Sequence, residues 1–197
     1  MNLKHDKEKV LKLGMSLLCN RGYNNLGVDE ICKVTGMTKG AFYNAFKSKE
    51  QFLIETILLY GNNNVKRIKS ELQPNNKYSA FERLQMFYIK MLEVQPKANY
   101  AGCFINTMMS EMGFLNELVG IESNKEFNKF IDAIEPTIIE AQKNGEIKKE
   151  MEARQITELI HSTFYGVLTI AKSSQDHKKS ITLINLLFNN LKTTNNG

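Results

Sequence analysis

The 197 residues are 42% hydrophobic and 24% charged, a balance that supports one or two packed domains and excludes a globally disordered chain. No apolar run reaches the 18 or so residues that a membrane span needs, and the opening "MNLKHDKEKVLK" lacks an apolar core and a cleavage site, so no membrane partner and a cytoplasmic location are expected. The net charge of +5 is uneven: residues 1–50 carry nine Lys/Arg against five Asp/Glu, while the remainder is close to balanced.

Helical periodicity dominates from the start, and no alternating pair of runs is joined by a hairpin signal. Val10, Leu13, Gly14, Leu17 and Leu18 form an apolar stripe that ends at "NRGYNN", with Gly22 as its cap. A second short helix fits Val28 to Thr35, with Asp29 and Glu30 in its first turn and Gly36 at its end. Thr38 caps a third, and Ser48 with Gln51 marks a fourth that runs toward Asn62. After the "ELQPNNKYS" loop, Ser79 to about Gln95 carries Phe81, Leu84, Phe87, Tyr88, Met91 and Leu92 on one face, and Pro96 stops it. Further helices are predicted over about Cys103–Met112, Asn124–Asn144 with Pro136 inside, Ala153–Ser173 and Lys179–Leu191, before a fraying "TTNNG" tail. The fold expected is all-α, with about nine helices.

"TKGAFYNAFKSKE" is the most informative stretch. At helical spacing Ala41, Phe42, Ala45 and Phe46 fall on one arc, and Lys39, Gly40, Tyr43, Asn44 and Lys47 on the other. A solvated outer face explains most amphipathic helices. Here, a mid-helix glycine costs about 1 kcal/mol against alanine yet admits another surface close to the backbone, and a tyrosine stands beside lysines. Helix, tight turn at Gly36 and second helix with a basic, polar edge make a helix-turn-helix, whose second helix enters the DNA major groove.

"VDEICKVTGMTKGAFYNAFKSKEQFL", with "VLKLGMSLLCNRGYNNLG" before it, resembles the DNA-binding region of the TetR family of bacterial transcriptional regulators. The resemblance implies residues 1–48 as a DNA-binding domain and 49–197 as a larger helical domain for effector binding and dimerisation. It implies phosphate contacts from Thr38, Tyr43 and Lys49, and base edges nearest Lys39, Gly40, Ala41 and Asn44, with Lys47 on the same surface. Two positions depart from the family pattern: Ala45 where a histidine is common, and Gly27 where Ser or Thr is usual. Lysine on phosphate gives salt-dependent binding to any duplex, whereas Lys39 on guanine and Asn44 on adenine can choose sequence.

One such unit reads few base pairs, so a homodimer on a palindromic double-stranded DNA site is expected. Ile160, Phe164 and Val167 on one late helix and Ile184, Phe188 and Leu191 on the other are candidate interface residues, with an intrachain core as the alternative use. Phe87, Tyr88, Met91, Cys103, Phe104, Met108, Met112, Phe130, His161 and Phe164 supply either core or an adaptable pocket for an unknown small-molecule effector. Cys103, beside Gly102 near a helix start, reads as close packing or as a reactive thiol. The cysteines Cys19, Cys32 and Cys103 have neither disulfide nor zinc spacing, and no metal or cofactor is expected. His5, His161 and His177 are scattered, and no H-E-x-x-H, G-x-S-x-G, P-loop or G-x-G-x-x-G occurs. The function expected is a ligand-responsive transcriptional regulator, a repressor rather than an activator and not an enzyme. The rival reading is a helical small-molecule-binding protein that does not touch DNA.

Overall fold

The computed structural model describes residues 6–193. His5 and the tail beyond Thr193 lie outside the described residues. The described chain contains nine helices: α1 Lys7–Arg21, α2 Val28–Thr35, α3 Lys39–Phe46, α4 Lys49–Glu71, α5 Ala80–Glu93, α6 Phe104–Met112, α7 Glu117–Lys143, α8 Ala153–Ser174 and α9 His177–Leu191. Among the described residues no helix is long and apolar enough to cross a membrane.

Two compact units divide the chain, Met1–Asn63 with Phe104–Phe127, and Asn64–Cys103 with Asn128–Gly197. Helices α4 and α7 each continue from one unit into the other.

In the first unit, α1 begins where Asp6 accepts from the Glu8 amide at 3.0 Å and ends at Gly22, whose φ of 75° favours a residue without a β-carbon. Gly36 closes α2 in the left-handed conformation, and Thr38 caps α3 by accepting from the Ala41 amide at 3.1 Å. Phe42, Phe46 and Phe52 form the centre, with ring centroids 4.9–5.4 Å apart, and Leu18, Leu26 and Ile31 close around them. Each of these buried side chains contributes roughly 1.5–3 kcal/mol. A β-carbon at Gly14 would lie 2.1 Å from the Phe52 ring, so the glycine in α1 lets the ring in. Ala45, which the periodicity puts on the packed arc, is exposed; the two phenylalanines alone fill that face.

In the second unit α9 packs on α5 and α8. Phe81 meets Phe188 edge-on at 5.6 Å, Tyr88 meets Phe164 at 5.2 Å, and the buried Ser180 hydroxyl donates to the Val167 carbonyl at 2.8 Å. The end of α9 is held by a bridge of Ile147 to Lys192. Arg154 on α8 is fixed by a carboxylate cluster from α7 and its own helix: it pairs with Asp132, with Glu135 at 3.3 Å and with Glu158 at 3.0 Å.

Three boundaries differ from the sequence expectation. Helix α4 continues past Asn62 to Glu71, α7 begins at Glu117 rather than Asn124, and α9 begins at His177 because Asp176 caps it through the Lys178 and Lys179 amides. Gly61 does not end α4: a β-carbon there would lie 1.8 Å from Glu126 Oε2, so the glycine accommodates a buried glutamate. Pro136 sits inside α7 on an exposed position without ending it.

Candidate nucleic-acid interface

The α2–α3 pair is short because each helix is stopped by its own sequence, α2 by Gly36 and α3 by Lys47. Lys47 adopts a φ of 64°, a conformation that costs a residue with a β-carbon about 1 kcal/mol. That turn leads directly into α4, where Ser48 Oγ accepts from the Gln51 amide at 2.9 Å.

What remains outside is an edge of polar side chains. Thr38, Lys39, Gly40, Tyr43, Asn44 and Lys47 are exposed and Ala41 is half-buried. Tyr43 keeps 48% of its surface in solvent, and among the described residues neither its hydroxyl nor the Asn44 amide makes a side-chain hydrogen bond. Thr38 uses its oxygen as a cap acceptor, which leaves its O–H to donate outward. A β-carbon at Gly40 would meet nothing nearer than Thr38 Oγ1 at 4.0 Å, so packing within the chain does not require glycine there. Lys47 reaches back to the Asn44 carbonyl at 3.2 Å. Lys39 pairs with Asp29 of α2 at 2.7 Å, and its ammonium pKa is raised by that hydrogen bond and charge.

Lys49 stands apart from this edge. Its ammonium donates to the Tyr23 carbonyl at 2.8 Å and lies 4.0 Å from the centre of the Tyr23 ring. Burial lowers its pKa, opposed by the Glu111 carboxylate. The expected phosphate ligand thus fastens the α1–α2 turn to the start of α4. Glu111 completes that joint from α6. Its Oε1 accepts from the Tyr23 amide at 2.7 Å and the Asn24 amide at 3.4 Å, and a β-carbon at Gly22 would lie 2.9 Å from the same oxygen. Asn116 adds a bond to Glu50 at 2.6 Å. Sequence reasoning missed Glu111, because its partners lie 87 and 88 residues away and leave no local pattern.

The remaining expected site residues divide. Phe104, Met108 and Met112 belong to the first unit, whereas Phe87, Tyr88, Met91, Cys103, Phe130, His161 and Phe164 belong to the second. In the second, Tyr88 Oη and His161 Nδ1 are hydrogen-bonded at 3.1 Å, and His161 lies 6.0 Å from Phe130 and 4.8 Å from Tyr165 between ring centroids. Burial pushes the His161 pKa down to about 3 and raises that of Tyr88. Cys103 Sγ is 3.6 Å from the Tyr165 hydroxyl and almost wholly buried. A separate open groove of about 610 Å³ is lined by Glu71, Tyr78, Arg83, Met86, Phe87 and Lys90 among others, and shares only Phe87 with the expected pocket.

The six candidate dimer residues, Ile160, Phe164, Val167, Ile184, Phe188 and Leu191, are all buried inside the single chain, where they join α8, α9 and α5. The outer faces of α8 and α9 instead expose Leu159, Ile170 and Leu186, and Gly166 opens on empty space.

A short helix, a glycine turn and a second helix with a solvent-facing basic edge, followed by a larger helical body, define a helix-turn-helix regulator. Two family models match: "Bacterial regulatory proteins, tetR family" over residues 10–56 and "Tetracyclin repressor-like, C-terminal domain" over residues 80–185. The chain belongs to the TetR family of bacterial transcriptional regulators. It is 22% identical over 182 residues to the HTH-type transcriptional repressor DhaR of Mycobacterium sp. (strain GP1), covering 92% of this chain and 90% of that one. It is 23% identical over 174 residues to the HTH-type transcriptional repressor NemR of Escherichia coli (strain K12), covering 87% of each. The crystal structure of reduced E. coli NemR shares its fold with a TM-score of 0.85 at 21% identity, over 98% of this chain and 100% of that one.

Proposed function

We propose that the chain is a ligand-responsive repressor that binds a palindromic operator as a homodimer, with residues 1–48 reading DNA and 49–197 holding the effector and the partner subunit. The observation that carries this reading is the exposed edge of α3, where Tyr43 and Asn44 have polar groups with no task inside the chain. Lys39, Gly40, Ala41 and Asn44 face base edges; Thr38, Tyr43 and Lys47 face phosphates. Lys49 supports binding by holding the α1–α2 turn rather than by touching the duplex. The names of the DhaR and NemR relatives support repression as the direction of control.

Half-sites one helical turn apart, about 34–36 Å, need two copies of the chain. The outer faces of α8 and α9 around Leu159, Gly166, Ile170 and Leu186 are the surface we assign to the second copy, since the inward residues are already used. An effector acts only through its differential affinity for the DNA-competent and other arrangements. Helix α4, continuous from Lys49 to Glu71, is the covalent route for that coupling.

A gel shift with the duplex adjoining the protein's own coding sequence tests the reading. A retarded band is expected, weakened on specific DNA by Asn44→Ala, with dimeric mass in sedimentation and monomeric mass for Leu186→Glu. A folded chain that retards no duplex would return the protein to the small-molecule-binding reading.

A further inference from the structure

Asp29, in the first turn of α2, and Lys39, at the first position of α3, form an ion pair of 2.7 Å with 74% and 65% of their side chains exposed. An ion pair this open to water adds little to stability. A carboxylate on a surface that meets phosphates also weakens general attraction to the duplex. An acid in the first turn of α2 suits the helix dipole, a role that Glu30 shares, and base chemistry offers Asp29 a further one.

On the DNA-binding reading given above, we infer that Asp29 and Lys39 act together on one G·C base pair in the major groove, the ammonium on guanine O6 and N7 and the carboxylate on cytosine N4. Guanine O6 and cytosine N4 are partners in a hydrogen bond about 2.9 Å long. The protein offers its donor and acceptor at nearly that separation, 2.7 Å. Neither group has to leave the other: an ammonium has three protons to donate and a carboxylate about four lone-pair sites. The side-chain pair can therefore stay closed while its remaining valences turn to the bases.

The pattern suits G·C better than A·T. Guanine sets two acceptors side by side, with the cytosine amine at the end of the row, so ammonium and carboxylate are both satisfied. In A·T the adenine amine and thymine O4 can take the carboxylate and one ammonium proton, but the thymine methyl stands beside O4 where guanine has N7, so the ammonium finds no second acceptor. Access is also provided. Gly27, the N-cap of α2, and Gly40, the second residue of α3, are both open: a β-carbon at Gly27 would meet nothing within 4 Å, and one at Gly40 only Thr38 Oγ1 at 4.0 Å. Both missing side chains thin the surface beside the ion pair, where a base edge would approach.

Selection of bound sequences from a random duplex library, using the full chain, tests this assignment. Wild type should select sites with one G·C pair per half-site that is favoured roughly 5- to 150-fold over A·T. Asp29→Ala should lose the preference at that pair alone, keep the other positions, and bind random duplex more tightly. Lys39→Gln should relax the same position, and both variants should melt within a few degrees of wild type, since an exposed ion pair and one first-turn acid contribute little. Selected sequences unchanged in Asp29→Ala, or relaxed at a different pair in the two variants, would overturn the inference while leaving DNA binding intact. A folded wild-type chain that selects no sequence would instead overturn the DNA-binding reading beneath it.

Discussion

Tyr43 on α3 is 48% exposed and among the described residues its hydroxyl makes no hydrogen bond, whereas Tyr88 on α5 is fully buried, bonded to His161 and packed on the rings of Phe87, Phe164 and Phe188. The first region holds two polar groups, on Tyr43 and Asn44, that make no side-chain hydrogen bond among the described residues; the second holds a buried pair, Tyr88 and His161, bonded to each other. Burial of a phenol without a partner is costly, and the bond to His161 meets that demand for the Tyr88 hydroxyl. Exposure imposes no such demand, and the edge that keeps Tyr43 and Asn44 in solvent supports the DNA-binding reading proposed above.

The contrast can be broken first at the support beneath the α3 edge. Phe42→Ala removes the central ring of the first unit and should cost about 3–5 kcal/mol, read as a lowered urea midpoint with loss of duplex binding. Acid should act next, on the second unit. Folded His161 has a pKa near 3 against 6.5 as the ordinary value, so stability is full above pH 6.5 and falls as the unfolded chain takes up a proton that the folded one refuses. The loss should reach about 2 kcal/mol at pH 5 and continue toward pH 3, and urea titrations of His161→Gln should lack that slope. Tyr88→Phe deletes the hydrogen bond to His161 and should cost about 1 kcal/mol, measured in the same way. Tyr43→Phe, the matched change at the surface, should leave stability within about 0.5 kcal/mol of wild type while weakening duplex binding at low salt several-fold. Equal stability losses for the two tyrosines would erase the distinction between the regions.

Local chemistry made most of the first unit readable. Gly22, Gly36 and Thr38 act where their residue types suggest, because turns and caps are satisfied within a few residues. Glycines used for packing carry no such local signal. Gly61 beside three asparagines looks like a helix end, yet it makes room for Glu126, a residue 65 positions later. Gly120 lies inside α7, where a β-carbon would come 2.6 Å from the Gly113 carbonyl. The periodicity of α8 and α9 identified their apolar stripes without separating the inner face from the outer one, so Ile160, Phe164, Val167, Ile184, Phe188 and Leu191 proved to be core. Lys49 shows the same limit on the edge: its charge was legible, but the direction of its ammonium depends on where Tyr23 sits.

Glu111 has a consequence for the order of events during synthesis. The turn between α1 and α2 is complete only when a carboxylate from α6 collects the Tyr23 and Asn24 amides, yet Glu111 emerges from the ribosome 88 residues after Tyr23. At roughly 5–20 residues per second, the nascent N-terminal segment spends several seconds with those amides hydrated rather than capped. The part of the molecule that is first to be translated thus waits for residue 111 before its α1–α2 turn is capped, and a chain arrested earlier lacks that cap.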